Sequence, residues 1–175
     1  KVFWKKVWEI PEGSKVSKGR AIQNLINIES GDTIRSVINI SNLTDEDYLN
    51  NNYLVMCTEA GTVKKTKLEA YSRPRVNGIN AITIKENDRL LDVKLTNGNN
   101  QIIIAKRSGK AINFHESNVR PMGRTATGVR GIKLENDNDR VIGMICVSRE
   151  DSDLLVVSKN GYGKRSSIED YRITK

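Results

Sequence analysis

The sequence predicts an all-β fold, an array of propeller-like blades, on three observations. A run of four apolar residues, a polar spacer and a glycine occurs three times, as "LVMCTEAG", "IIIAKRSG" and "LLVVSKNG". The closing glycines, Gly61, Gly109 and Gly161, stand 48 and 52 residues apart, and no segment shows sustained helical periodicity. Four-stranded units of this period are typical of propeller blades, each of which packs on its neighbours. A β-sandwich of unrelated strands would not repeat glycines in register.

Each of these glycines is predicted to make a turn between two strands, because glycine tolerates positive φ. In the third copy, "NGYGKRSS" resembles a nucleotide P-loop, but its spacing does not fit G-x-x-x-x-G-K-[ST]. A strand corner at Gly161 is therefore the better interpretation. Val156 and Val157, before the turn, are predicted to lie in the core. Lys164 and Arg165, after it, are predicted to face outward.

The segments between the glycine corners predict three further hairpins. They read "INIESGDTIRSVINI" (26–40), "ITIKENDRLLDVKLT" (82–96) and "IKLENDNDRVIGMICV" (132–147). In each segment, two stretches of alternating apolar residues flank a short polar turn. The turn carries an aspartate at the equivalent position, Asp32, Asp88 or Asp139. Glycines precede the second and third segments. We expect Gly78 and Gly128 to take positive φ or to lie against a neighbouring backbone.

The repeat makes the chain one array of blades rather than a set of separate domains. Residues 1–15 match the strand after a glycine corner and form part of a blade, and about 16–73, 74–123 and 124–175 form three complete blades. The polar stretch "NLTDEDYLNNN" (42–52) is expected to be an insertion of turns. Trp4 and Trp8 are expected to pack between blades. Because the chain starts without methionine, inside a strand-like run, we expect it to be a fragment.

Composition favours a polyanionic partner and excludes a membrane-spanning helix. Lysine and arginine number 29 against 21 acidic residues, which gives a net charge of +8 and a pI near 9.5. Apolar residues make up 37% of the chain and nowhere form the run of about 20 that crosses a bilayer. Cys57 and Cys146, each among apolar residues, are predicted to be buried free thiols in a reducing cytoplasm.

The motifs predict no catalytic residue, metal or cofactor in this chain. In "ENDNDR" (135–140), Arg140 stands where a calcium loop needs glycine, so a hairpin turn is expected. Two cysteines and one histidine cannot supply a four-ligand zinc site. His115 has no nucleophile beside it in a recognisable arrangement, so a surface histidine is expected.

Four stretches, in order, carry a resemblance to a known family. "GRAIQNLINIE", "YSRPRVNGINAITI", "RTATGVRGIKL" and "VVSKNGYGKRSSIEDYR" resemble the C-terminal domain of the DNA gyrase A subunit, over essentially the whole chain. The resemblance implies a β-pinwheel, in which neighbouring blades exchange strands and of which this chain holds about half. It also implies sequence-nonspecific binding and wrapping of duplex DNA, in support of ATP-dependent negative supercoiling by a bacterial, cytoplasmic enzyme that acts at the nucleoid.

The resemblance places the chemistry of the parent enzyme outside this chain. The catalytic tyrosine belongs to another region of the gyrase A polypeptide, and ATP and Mg²⁺ bind in regions that are not present here. The implied protein partners are the rest of that polypeptide and the gyrase B polypeptide. The family's Q-R-R-G-G-K-G box, which negative supercoiling requires, does not occur in the sequence. The corresponding domain of topoisomerase IV therefore stays an alternative, as does a propeller that binds other proteins.

Wrapping of a duplex requires cations spaced along a convex path, each of which neutralises a phosphate. Lysines and arginines recur at equivalent places in the units and are the predicted DNA contacts. Those near the glycine corners are Lys5, Lys6, Lys64, Lys65, Lys67, Lys106, Arg107, Lys110, Lys159, Lys164 and Arg165. Those in the segments that cross between blades are Lys15, Lys18, Arg20, Arg73, Arg75, Arg120, Arg124, Arg130 and Arg172.

Overall fold

Short strands carry most of the regular structure, which confirms the all-β prediction. The computed structural model describes residues 1–29, 31–148 and 151–174. Its strands are β1 (Tyr53–Thr58), β2 (Thr62–Lys67), β3 (Leu90–Thr96), β4 (Gln101–Lys106), β5 (Ala111–His115), β6 (Val129–Arg130), β7 (Val141–Val147), β8 (Asp153–Val157) and β9 (Gly163–Ser167). The described residues also form a helix, α1 (Glu46–Asn51), and 3₁₀ turns at Val7–Glu9, Ile22–Asn24, Leu68–Tyr71, Glu116–Asn118 and Ile168–Asp170.

The sheets combine strands from successive sequence units. The first sheet has the order β3-β1-β2-β6, the second has the order β5-β4-β7, and the third consists of β8 and β9. The hairpin β1–β2 surrounds the first glycine corner, yet its outer neighbours β3 and β6 come from later units. β4 likewise pairs with β7 of the unit that follows it. Neighbouring blades therefore exchange strands, as a pinwheel requires.

The prediction of three hairpins between the glycine corners is wrong. In the second and third of these segments only the second arm is a strand, β3 or β7, and the first segment has no strand in its described residues. Asp88 and Asp139 give the physical reason. Each carboxylate accepts an N–H from the glycine corner of the preceding unit, from Ala60 at 2.9 Å and from Ser108 at 3.1 Å. These bonds direct the second arm onto the preceding hairpin instead of onto its own first arm.

The glycine corners have one conformation in all three units. Gly61, Gly109 and Gly161 have φ of +84°, +86° and +84°. Each donates its N–H to the carbonyl three residues earlier, at 2.9 to 3.0 Å. Gly78 has φ of +73° and Gly128 has φ of +112°, which confirms the prediction for these crossing segments. A Cβ on Gly128 would also lie 2.6 Å from a carbonyl oxygen of β2.

Two apolar clusters cover the two faces of the first sheet. The inter-sheet cluster joins the first sheet to the second and contains Val55, Cys57, Val63, Ile102, Ile104, Phe114, Val119, Ile132, Val141 and Met144. The outer cluster contains Leu49, Leu54, Met56, Leu68, Tyr71, Ile79, Ala81 and Val93. Successive residues of β1 alternate between the two clusters. Because β1 is covered on both faces, its apolar run is continuous rather than alternating with polar residues.

The two cysteines are free thiols, as predicted. Cys57 is buried and Cys146 is half-buried, and neither forms a disulfide. Desolvation raises the pKa of each thiol to about 12. Both thiols therefore stay protonated at neutral pH and pack as small apolar groups.

The polar insertion contains α1, although the sequence predicted only turns there. The Asp45 carboxylate caps this helix by accepting the N–H of Tyr48 at 3.1 Å. Leu49 is 5% exposed and packs in the outer cluster. The insertion is therefore anchored on the first sheet.

Trp4 packs between blades as predicted, whereas the same prediction for Trp8 is wrong. Trp4 packs against the outer cluster, and its Nε1 donates to the carbonyl of Tyr71 at 2.8 Å. Trp8 is 78% exposed, and the Lys6 ammonium lies 4.9 Å from its ring centre. This contact over the exposed ring is a cation–π interaction.

The third hairpin is more exposed than the other two. Val156 and Val157 are 50% and 60% exposed, so their predicted place in the core is wrong. Met56 and Cys57, their counterparts in β1, are fully buried. The difference arises because, among the described residues, β9 is the only strand beside β8, whereas β1 and β4 each lie between two strands.

Alanine at two of the corner glycines is expected to separate backbone strain from close packing. At Gly109 an added Cβ meets nothing within 4 Å, so Gly109→Ala should cost only the ~1–2 kcal/mol of a left-handed backbone. At Gly61 the same Cβ would lie 2.8 Å from the carbonyl oxygen of Ile132. Gly61→Ala should therefore lower the free energy of unfolding, measured by urea denaturation, more than Gly109→Ala does. Equal losses would contradict this account of the first corner.

Candidate nucleic-acid interface

Three lysines that were predicted to contact phosphates are buried. Lys64 is 0% exposed, Lys65 4% and Lys106 5%. A duplex cannot reach these ammonium groups in the folded blade, so the prediction is wrong for them as direct contacts. Burying a cation is costly unless hydrogen-bond acceptors replace its water, and each of the three lysines has such acceptors.

Lys64, in β2, ties together two segments that cross between blades. Its Nζ donates to the carbonyl of Ala81 at 2.6 Å and to that of Arg124 at 2.5 Å. The Tyr71 hydroxyl donates to the same Ala81 carbonyl at 3.1 Å. Desolvation lowers the pKa of Lys64 to about 8, and the ammonium is still mainly charged at neutral pH. This lysine therefore positions backbone rather than phosphate.

Lys65 pairs with a carboxylate that is itself fully buried. Its Nζ donates to the backbone carbonyl of Glu116 at 2.7 Å and lies 3.7 Å from the carboxylate. The ring of Tyr53 covers the ammonium at 5.0 Å. The Glu116 carboxylate also accepts the Thr96 hydroxyl and the Asn100 N–H, both at 2.8 Å. Desolvation lowers the pKa of Lys65, and the attraction between its ammonium and the Glu116 carboxylate opposes this shift.

Glu116 was not identified from the sequence, although the repeat contains a signal for it. In the other two units its aligned positions hold Leu68 and Ile168, which are both buried apolar residues. An acidic residue at a core position requires a buried partner. The ammonium of Lys65 is that partner.

Lys106 supports the second glycine corner from inside. Its Nζ lies 3.3 Å from the carboxylate of Asp139 and 3.4 Å from that of Glu135. It also donates to the carbonyl of Lys133 at 3.1 Å. Desolvation acts to raise the pKa of Asp139, but the N–H groups of Glu135 and Ser108 and the Lys106 ammonium outweigh it, so this pKa lies below its ordinary value. The segment 135–140 contains a turn, but not the predicted hairpin turn, because only β7 follows it as a strand.

Two of the predicted arginines meet at one pocket between crossing segments. Arg75 and Arg124 line this pocket together with Asn80 and Thr125. Arg124 is half-buried, and its carbonyl accepts the hydrogen bond from the buried β2 lysine. The Thr83 hydroxyl donates to the carbonyl of Thr125 at 2.7 Å, which joins the two segments. Guanidinium, amide and hydroxyl donors on one concave surface are suited to phosphate oxygens.

The other candidates are exposed but differ in their ion pairing. Lys110 pairs with Glu135 at 2.6 Å, Lys5 with Glu9 at 3.6 Å and Arg165 with Asp153 at 3.2 Å. Surface pairs of this kind are weak and open readily for a phosphate. The exposed candidates outside these pairs are Lys6, Lys15, Lys18, Arg20, Lys67, Arg73, Arg107, Arg120, Arg130, Lys159, Lys164 and Arg172.

Outside the basic surface, the described residues include one histidine, and its ring bonds to neighbouring polar side chains. The ring of His115 is half-buried and lies 2.7 Å from the Ser117 hydroxyl and 3.2 Å from the Asn99 side-chain oxygen. Within the described ranges, no three His, Cys, Asp or Glu side chains are grouped so that they could hold a metal ion. None of the helices that the structure describes is long and apolar enough to cross a membrane.

Comparison with known proteins assigns the repeat to a family. The sequence profile of the DNA gyrase C-terminal domain, a β-propeller, matches residues 1–49, 52–97, 102–148 and 152–175. The chain belongs to this family. Successive matches of this gyrase C-terminal profile begin at intervals close to the spacing of the glycine corners, which confirms the resemblance seen in the sequence.

Relatives of this gyrase C-terminal segment include DNA gyrase A polypeptides from distant bacteria. The gyrase A polypeptide of Salmonella typhimurium is 40% identical over 171 residues, which cover 98% of this chain and 19% of the relative. That of Staphylococcus epidermidis is 42% identical over 175 residues, which cover 99% of this chain and 19% of the relative. The chain therefore spans about a fifth of the length of these relatives.

Solved structures confirm the pinwheel fold of the gyrase segment. The C-terminal domain of DNA topoisomerase IV matches with a TM-score of 0.78 at 29% identity, over 89% of this chain and 47% of that chain. A DNA gyrase A C-terminal domain matches with a TM-score of 0.76 at 26% identity, over 91% of this chain and 50% of that chain. The segment thus corresponds to about half of a solved domain.

Replacement of Lys64 by methionine is expected to destabilise the gyrase segment. Lys64→Met keeps the apolar stem but leaves the Arg124 carbonyl without its lysine donor and the Ala81 carbonyl with the Tyr71 hydroxyl alone, and an unsatisfied buried group costs about 1–3 kcal/mol. Urea denaturation should show a loss of about 2 kcal/mol or more. Lys67, exposed at the end of the same strand, is the matched control, and Lys67→Met should stay within about 0.5 kcal/mol of wild type. Similar stabilities for both variants would contradict the role of Lys64 as a tie.

Proposed function

We propose that this chain binds duplex DNA through its phosphates, without reading base sequence, and that it supports DNA wrapping within a longer gyrase A polypeptide. Its membership of the gyrase C-terminal family and its net charge of +8 support this function. In the parent enzyme, a type IIA topoisomerase, wrapping serves ATP-dependent negative supercoiling, and the partners are the rest of gyrase A together with gyrase B. ATP, Mg²⁺ and the DNA-cleaving tyrosine belong to regions outside this chain.

The pocket of Arg75 and Arg124 is the observation that carries the proposal. These arginines lie four and five residues after Tyr71 and Val119, which hold the same position in successive units. The repeat therefore brings the crossing segments of two neighbouring units to one pocket, which both arginines line. Guanidinium groups bind phosphate oxygens in a bidentate manner. A wrapped duplex requires phosphate contacts of this kind along a path around the array.

The buried lysines support the same function indirectly. Lys64 holds the carbonyls of Ala81 and Arg124, so the backbone on both sides of the pocket is fixed before DNA arrives. A fixed set of donors loses less conformational entropy on binding than free surface lysines do. Smooth bending of 20–30 base pairs costs on the order of 1–6 kcal/mol, and several ordered phosphate contacts can offset that cost.

The corresponding domain of topoisomerase IV is the second candidate. It is favoured by the solved topoisomerase IV domain, whose TM-score is 0.78. Gyrase is favoured by the Salmonella and Staphylococcus relatives, which are 40% and 42% identical over nearly the whole chain and are gyrase A polypeptides. We therefore place the chain with gyrase.

Fluorescence anisotropy with two duplexes of unrelated sequence tests the proposed function. Both duplexes should bind with similar affinity, and log Kd should rise linearly with log salt because each phosphate contact releases counterions. Replacing Arg75 and Arg124 together by glutamine should weaken binding to both duplexes alike. It should also reduce the slope of log Kd against log salt by about 2. The control replaces the exposed lysines Lys85 and Lys133 by glutamine, which removes the same charge outside the predicted contacts.

Two results would contradict this function or its site. Equal affinity at roughly 50 and 300 mM salt would exclude phosphate binding as the source of affinity. If the arginine variant kept wild-type affinity and slope while the lysine control lost both, the DNA site would lie away from the pocket. Urea denaturation of both variants shows whether they are folded.

A further inference from the structure

One of the three buried lysines carries a charge that no carboxylate neutralises. The ammonium of Lys65 lies 3.7 Å from the Glu116 carboxylate, and that of Lys106 lies 3.3 Å from the Asp139 carboxylate. Within the described residues, Lys64 forms no ion pair. Its two acceptors are neutral carbonyl groups, which replace water around the ammonium but do not cancel its charge. A buried charge of this kind is costly until an anion approaches it.

This ammonium is held against the backbone on both sides of the pocket between the crossing segments. Two turns, 75–78 and 123–126, contribute to the pocket wall, and each is closed by an N–H that donates to the carbonyl three residues earlier, at 3.0 and 3.1 Å. The Lys64 Nζ donates to the carbonyl of Arg124 in the second turn and to that of Ala81, three residues after the first turn. Because Lys64 is 0% exposed, its charge adjoins the pocket without opening into it.

The groups packed around Lys64 are apolar, neutral or positive. Met56 lies opposite it in β1. The Tyr71 hydroxyl donates to the same Ala81 carbonyl, and desolvation raises the pKa of Tyr71, so this hydroxyl stays neutral between pH 7 and 9. The positive charge of Arg124 acts on the same hydroxyl and opposes that rise. Charges separated by protein rather than by water are weakly screened, so the field of the lysine extends into the pocket.

We propose, on the basis of the DNA binding proposed above, that the Lys64 ammonium attracts through the pocket wall the DNA phosphate that Arg75 and Arg124 bind. The phosphate then supplies the anion that this lysine lacks in the free chain, as Glu116 does for Lys65. The attraction acts without direct contact, since the wall lies between the two charges. Lys64 is therefore a positioning residue of the DNA site as well as a tie between crossing segments.

Uptake of protons on DNA binding follows from this attraction. Desolvation lowers the pKa of Lys64 to about 8, so at pH 8 about half of the free chains hold it uncharged. A phosphate nearby favours the charged form and raises this pKa. DNA binding therefore takes up protons at pH 8 and weakens as the pH rises from 7 to 9. The uncharged amine keeps two N–H groups for its two carbonyls, so the loss concerns its charge and not the tie.

Isothermal titration calorimetry of the 175-residue chain with a duplex, in buffers of different ionisation enthalpy, counts these protons. Lys64→Arg is the test variant, because arginine keeps a charge that does not titrate in this range. If phosphate raises the pKa of Lys64 by one unit, wild type should take up about 0.4 proton per chain more than Lys64→Arg at pH 8. Its Kd should also rise about fivefold more than that of the variant between pH 7 and 9.

The control variant is Lys85→Arg, a change at an exposed lysine outside the predicted DNA contacts, which should keep the proton uptake of wild type. Urea denaturation shows whether each variant is folded. Should Lys64→Arg fail to fold, NMR of the wild-type chain with ¹³C-labelled lysine follows the titration of Lys64 directly. Its pKa should be higher in the DNA complex than in the free chain by about one unit.

Two results would overturn the role of Lys64 at the DNA site. One is equal proton uptake by wild type and folded Lys64→Arg, and the other is a Lys64 pKa that DNA leaves unchanged. Both can occur while duplex binding keeps its salt dependence, so they leave phosphate binding by the chain intact. Failure of the proposed function is a separate result, an affinity that does not change with salt.

Discussion

The exchange of strands between successive units is the constraint on which the rest of the structure depends. The first two hairpins do not complete their own sheets, because β1 takes β3 and β4 takes β7 from the unit that follows. The exchange is fixed at the first two glycine corners, where an aspartate of the next unit caps the turn, and at the first corner the Gly61 carbonyl also accepts the Gly131 N–H at 2.8 Å. The first corner is thus a junction of three units, and a side chain in place of Gly61 would collide with the backbone of Ile132. A blade of this kind is stable only as part of the array.

The burial of three lysines follows from this exchange. Segments that cross between blades carry carbonyl groups outside the strand ladders, and a buried carbonyl requires a donor. The long side chain of Lys64 reaches two such carbonyls. In the second blade, buried lysines likewise contact groups of a neighbouring unit, since Lys65 pairs with Glu116 and Lys106 pairs with Asp139. Part of the positive charge of the chain therefore organises the interior. The cations that remain include Arg124, whose carbonyl Lys64 holds, and Arg75, which lines the same pocket, and we propose these two as the better candidates for DNA.

The sequence predicts the fold class well because the signals for it are local. The positive φ of Gly61 and its equivalents, the free thiols and the positive φ of the crossing glycines each depend on a short stretch of chain and were predicted correctly. Strand partners depend on distant residues, and the hairpin prediction failed because an alternating pattern does not specify which edge a strand joins. The burial of Lys64 was missed for a similar reason, since a lysine in a strand looks the same whether its outer face meets water or another unit. Glu116 shows that comparison of the units with one another, at a position occupied elsewhere by leucine and isoleucine, can recover part of this information.

The reactivity of each lysine toward acetylation tests most directly whether the buried lysines tie the units together. The folded chain is acetylated briefly with an amine-reactive ester, and mass spectrometry reads the modified fraction at each site. We expect Lys64, Lys65 and Lys106 to stay unmodified until urea unfolds the chain, while exposed Lys67 and Lys85 react at once. Acetylation of Lys64 in the folded protein at the rate of Lys67 would contradict the claim that buried lysines tie the units together.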